Sequence, residues 1–153
     1  MSSNISLRIS FMVAFCGLVA AMTGVALGAS HAGKQATRTP LSDVKWTKSP
    51  LGVEVFAAFG DASKGPHITY IKFTPGQKTP VHTHSADYTG VVVAGTGRHY
   101  LPGKPETETE LPVGSTWFMP ANLEHISECM PGAACIFAVY QQGPNDFIEV
   151  KKQ

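Results

Sequence analysis

Beyond residue 32, apolar residues come in short β-branched and aromatic runs separated by turn clusters, the pattern of strands rather than helices. Helical spacing is absent, and Pro or Gly recurs too often for a helix of more than a few turns. The runs predict strands over Val53–Phe59, His67–Phe73, Tyr88–Ala94, Arg98–Leu101 and Thr107–Leu111. Four more are expected over Thr116–Met119, His125–Cys129, Ile136–Tyr140 and Phe147–Val150. Gly60-Asp61, Gly65-Pro66, Pro75-Gly76, Gly95-Thr96-Gly97, Pro102-Gly103 and Pro131-Gly132 punctuate them. Strands at this spacing predict an all-β sandwich or barrel, not a βαβ fold.

A different pattern precedes the strands. Residues 1–8 are short and polar and end on Arg8, and residues 9–27 are apolar or small with no charged residue. Gly28, Ala29, Ser30 and Ala32 follow, small enough for a signal peptidase. A retained span needs roughly 17–25 apolar residues, and this run only just reaches that length while Gly17, Thr23 and Gly24 dilute it. The expectation is a signal peptide over 1–32, a tether over 33–43 and one domain over 44–150. The mature protein is then periplasmic or secreted, with no stable membrane anchor after processing.

Composition narrows the function classes. Hydrophobic residues make up 43% and charged residues 15%, which excludes a disordered chain. The 12 Lys and Arg against 11 Asp and Glu leave no basic footprint for nucleic acid. Removing the leader takes away Arg8 and leaves 11 charges of each sign, so long-range steering of a charged partner is not expected. Glu106, Glu108 and Glu110 alternate with Thr107 and Thr109 and read as a solvated face. The expected partner is a small molecule.

Candidate chemistry lies in three of the six histidines. His82 and His84 are two apart, so on an extended strand both rings face one side and can converge on one cation. Around them stand Gly76, Tyr88 and Gly95; further on, Gly114, Pro120 and His125 form a second cluster. At these residues the chain resembles the cupin superfamily, whose motifs are G-x5-H-x-H-x3/4-E-x6-G and G-x5-P-x-G-x2-H-x3-N. Gly76, His82, His84 and Gly95 match the first motif in register, and Gly114, Pro120 and His125 match the second. The resemblance is to small single-domain cupins without an assigned function, and it spans roughly residues 44–150.

The resemblance implies a cupin-type β-barrel, a double-sheet jelly roll, whose motif residues line the interior and hold one divalent metal ion. His82, His84 and His125 are the implied ligands; the ion is Fe, Zn, Mn, Ni or Cu, since imidazole suits all of these. Three positions depart from the motifs. Tyr88 stands at the glutamate ligand, Asn122 at the second-motif glycine and Cys129 at the asparagine. Asn tolerates positive φ, so the turn at Asn122 can survive. Parity puts Tyr88 on the face of His84, whereas Asp87 points away unless a bulge intervenes. Both are candidates to replace the glutamate or to act as catalytic groups.

Other residues carry less. His67 and His99 lie outside both motifs and read as ordinary hydrogen-bonded side chains, and His31 falls in the leader or tether. Cys129 and Cys135 form either a disulfide or two buried thiols. Trp46, Phe56, Trp117, Phe118 and Phe137 read as core or barrel wall. Three functions follow: a metalloenzyme of oxygenase, lyase or isomerase type acting on a small organic molecule, a non-catalytic ligand-binding or sensing module, or a structural barrel. The resemblance also implies a homodimer paired through an outer sheet face. Val91 and Val93, opposite in parity to Tyr88, give that face apolar residues.

Overall fold

Alternation along the strands sorts side chains onto two faces, and antiparallel pairing stacks those faces into layers. The computed structural model describes residues 36–151; the expected signal peptide and His31 lie outside them. The strands are β1 (Thr47–Lys48), β2 (Glu54–Gly60), β3 (His67–Phe73), β4 (His82–Thr83) and β5 (Tyr88–Ala94), followed by β6 (Gly97–Tyr100), β7 (Thr116–Met119), β8 (Ile126–Cys129), β9 (Cys135–Gln141) and β10 (Ile148–Glu149). Six form one sheet in the order β1-β2-β3-β9-β5-β7, and β10-β4 and β6-β8 form two short ladders. Bridges at Lys78–Glu128 and His82–His125 join those ladders into a second layer. All pairings are antiparallel.

The inner face of the large sheet carries Val55 on β2, Phe73 on β3, Tyr88 and Val92 on β5, Trp117 on β7, and Phe137 and Val139 on β9. One core cluster gathers Val53, Phe73, Val92, Phe137, Cys129 and Cys135; a second gathers Tyr88, Met119 and Val139. Burying a ring such as Phe73 or Phe137 stabilises the fold by about 1.5–3 kcal/mol. Cys129 and Cys135 are joined in a disulfide with 5.6 Å between Cα atoms, which resolves the two alternatives left open by their spacing. Two glycines make room for rings: a Cβ on Gly90 would lie 2.2 Å from the Trp117 indole, and one on Gly97 would lie 2.5 Å from the Phe137 ring.

Three strands, His67–Phe73, Tyr88–Ala94 and Thr116–Met119, have the bounds expected of them. The expected strand over Thr107–Leu111 is corrected. A 3-10 turn occupies Pro105–Thr107, and only Leu111 pairs, with Gly97. The Thr107 hydroxyl closes the turn by donating to the Lys104 carbonyl and accepting from the Leu101 amide. Glu108, Thr109 and Glu110 are exposed and offer no apolar face to a sheet. Asn122 adopts φ 61°, the left-handed conformation expected where the motif has glycine. The Asn122 backbone N–H donates to the His84 carbonyl at 2.8 Å, so this turn also holds the chain just beyond β4.

Candidate metal centre

The main chain brings the three motif histidines together before any side chain does. His82 and His125 exchange both backbone hydrogen bonds, at 3.1 and 3.0 Å. β4 ends at Thr83, and His84 beyond it is held by the segment that precedes β10. One ring nitrogen from each of His82, His84 and His125 lies within 4.8 Å of the others.

Each ring is fixed by its Nδ1. His82 Nδ1 lies 3.0 Å from the Pro80 carbonyl, His125 Nδ1 lies 2.8 Å from the Leu123 carbonyl, and His84 Nδ1 donates to the Asp146 carbonyl. A carbonyl only accepts, so the proton of each neutral ring sits on Nδ1 and Nε2 is left as an acceptor. Such an outer hydrogen bond also fixes ring orientation in metal sites. Phe147 stacks on His82 with ring centroids 4.2 Å apart, and the Asp146 carboxylate stands 3.6 Å from His84 Nδ1 while accepting the Ser85 amide.

Burial keeps these rings neutral. It lowers the His82 pKa to about 3, with a further push from His125, and the His125 pKa to about 4. His84 is also lowered by burial, against the opposing pull of Asp146, and desolvation takes half-buried His99 well below the usual range. Neutral imidazoles are the form that binds metal.

Tyr88 and His99 complete the cluster. The Tyr88 hydroxyl lies 2.8 Å from Nε2 of both His99 and His125, and His99 Nδ1 lies 3.0 Å from the Ser127 hydroxyl. A phenol has one proton, and the His125 Nε2 has none to give. Tyr88 therefore donates to His125 and accepts from His99 Nε2–H, whose bare Nδ1 accepts from Ser127. Burial raises the Tyr88 pKa above its ordinary value, against a smaller opposing effect of the Trp117 indole, so the phenol stays protonated.

His82, His84, Tyr88, His99, Ser127 and Asp146 face a cavity of about 440 Å³ between the layers. His125 is fully buried, with its Nε2 covered by the Tyr88 hydroxyl. Asp87 does not face this cavity. It is exposed, and its carboxylate accepts the Ala121 amide at 2.7 Å, with no bulge to turn it inward. The reading of His67 fits a buried ring paired with the Gly65 carbonyl at 2.9 Å. That of His99 is extended: it is hydrogen-bonded as expected, but its partners are Tyr88 and Ser127, so it belongs to the site, and no spacing in the sequence marked it. Asp146, Ser127 and Trp117 had no motif to mark them.

No family model matches the sequence, and no curated protein matches it. Solved structures do. The polyketide cyclase RemF from Streptomyces resistomycificus is 22% identical, with a TM-score of 0.63 over 78% of this chain and 88% of its own. An RmlC-like cupin protein from Ralstonia eutropha is 22% identical, with a TM-score of 0.57 over 71% of this chain and 69% of its own. The chain has the cupin fold. KdgF from a Halomonas species shares it at 17% identity, with a TM-score of 0.59 over 73% of this chain and 98% of its own. At these identities the likeness is one of fold, and the cupin barrel is what places the three histidines on one interior wall.

Proposed function

We propose that this cupin-fold protein is a metal-dependent enzyme of oxygenase, lyase or isomerase type that acts on a small organic molecule. His82, His84 and His125 hold one divalent ion. The observation that carries this reading is the set of three backbone carbonyls, of Pro80, Asp146 and Leu123, that hold the Nδ1 protons of three rings offering nitrogens within 4.8 Å of one another. A bound divalent ion supplies Lewis-acid polarisation of a substrate oxygen.

The chain's own residues do the rest. The Tyr88 proton and an ion compete for the same His125 lone pair, so Tyr88 is a covering and proton-donating group rather than a substitute for an anionic ligand. His99 and Ser127 orient its hydroxyl from behind. Asp87, spent on the Ala121 amide, takes no part. That a neighbour in fold is a polyketide cyclase supports an enzyme over a structural barrel.

Export agrees with the buried disulfide, which persists in oxidising compartments. A homodimer is supported by the apolar outer face of the large sheet. The test of the central reading is metal analysis of the protein purified from its native compartment. About one divalent ion per chain is expected; protein that carries none and takes none up overturns the proposal.

A further inference from the structure

The cavity wall says what kind of molecule enters. Polar groups gather at the end formed by the histidines, Tyr88, Ser127 and Asp146. The remainder is largely apolar, with Val55, Ile71, Phe73, Phe137, Val139 and Trp117 among its walls. No Lys or Arg lines it, and its one carboxylate, on Asp146, is committed to the Ser85 amide beside His84. A carboxylate, phosphate or sulfate carried on the part of the ligand that lies along the apolar wall, away from the histidines, would therefore enter a low-dielectric surface with no Lys or Arg to meet it, at a cost of several kcal/mol.

Shape adds to charge. Phe73, Phe137 and Trp117 stand edge-on or tilted to one another with centroids 5.3 and 5.4 Å apart, kept there by Gly90 and Gly97. Residues Pro50, Leu51 and Asn145 are the exposed part of the lining, so the cavity reaches solvent beside the β1–β2 turn. The Trp117 indole closes the histidine end of the wall, stacked on His99 with ring centroids 4.8 Å apart. The volume, about 440 Å³, lies in the lower part of the roughly 300–1,000 Å³ usual for small-molecule sites.

From these features we infer that the substrate is an apolar organic molecule, uncharged along the body that fills this wall, with oxygen donors at the end that faces the histidines. The apolar body lies along Val55, Ile71, Phe73, Phe137 and Val139, and the oxygens face the histidines. This rests on the proposed function for the role of the oxygens, but the apolar wall is independent of it.

The probes are a naphthalenediol with adjacent hydroxyls and oxalate, both oxygen chelators, titrated into the full mature chain with and without Zn²⁺ and read by quenching of tryptophan fluorescence and by calorimetry. The naphthalenediol should bind roughly tenfold tighter than oxalate or better, reflecting the apolar area it buries. In the metal-free protein it should still bind more tightly than oxalate. Zn²⁺ uptake with oxalate bound as tightly as the diol overturns this inference and leaves the metal reading intact. No Zn²⁺ uptake with preferential diol binding overturns the metal reading alone. No preference for the diol in either form overturns the inference outright.

Discussion

A single proton decides the direction of the hydrogen bonds at the centre. Leu123 holds the His125 Nδ1 proton, so the chain can only run Ser127 to His99 to Tyr88 to His125. This arrangement needs every ring neutral, and burial ensures it. The consequence for pH follows from linkage. Unfolded histidines take up protons near 6.5, whereas folded His125 resists until about 4 and His82 until about 3. Between those values the unfolded state binds more protons, so stability falls steadily as pH is lowered from about 6.5 toward 4. Urea unfolding of the metal-free protein across that window should show the midpoint falling; a midpoint that rises or stays flat contradicts it. His82 and His84 were legible because an i, i+2 pair on extended chain has one geometry, and four-residue parity likewise placed Tyr88 inward and Asp87 outward. His99 was not, because no spacing distinguishes an inward histidine that supports a site from one that merely fills space.

Among the elements, β5 and β7 show how backbone composition shapes a cavity. Gly90 faces Trp117 directly across the ladder, and the indole lies where a side chain on Gly90 would stand. Gly90→Ala should push the indole aside and cost about 1–3 kcal/mol, the usual range for overpacking. Chemical denaturation measures the loss, and tryptophan fluorescence should shift with it. An unchanged midpoint would mean that the indole yields freely. Strand existence was readable wherever β-branched residues run between turn signals, as in β3 and β5. It failed at Thr107–Leu111, where alternation of Glu and Thr mimics a strand but supplies nothing to bury. The two-residue strands β1 and β4 lie outside the nine predicted runs and owe their pairing to their neighbours, whereas β10 falls within the run expected over Phe147–Val150.

For the whole molecule, the large sheet has an outer face that the described chain leaves open. Phe118, Thr89, Tyr140, Ile68 and Phe59 stand in one register row across β7, β5, β9, β3 and β2. Phe118 and Phe59 are 62% and 63% exposed, an apolar row of the kind that marks an interface. Light scattering at micromolar concentration should give twice the mature chain mass, and Phe59→Ser with Phe118→Ser should halve it. A wild-type monomer would contradict the dimer. The cupin barrel itself was legible from the glycine, proline and histidine register, since those positions fix turns and inward faces together. The apolar character of the cavity was not, because its walls come from β2, β3, β7 and β9, far apart in sequence.

The most direct test of the metal centre is a calorimetric titration of Zn²⁺ into the apo-protein at neutral pH, beside His125→Ala. The wild type should bind one ion per chain. Loss of a direct ligand should weaken binding by more than the roughly 10–100-fold that loss of a supporting hydrogen bond costs. No binding by the wild type, or equal binding by the variant, would contradict a three-histidine metal centre.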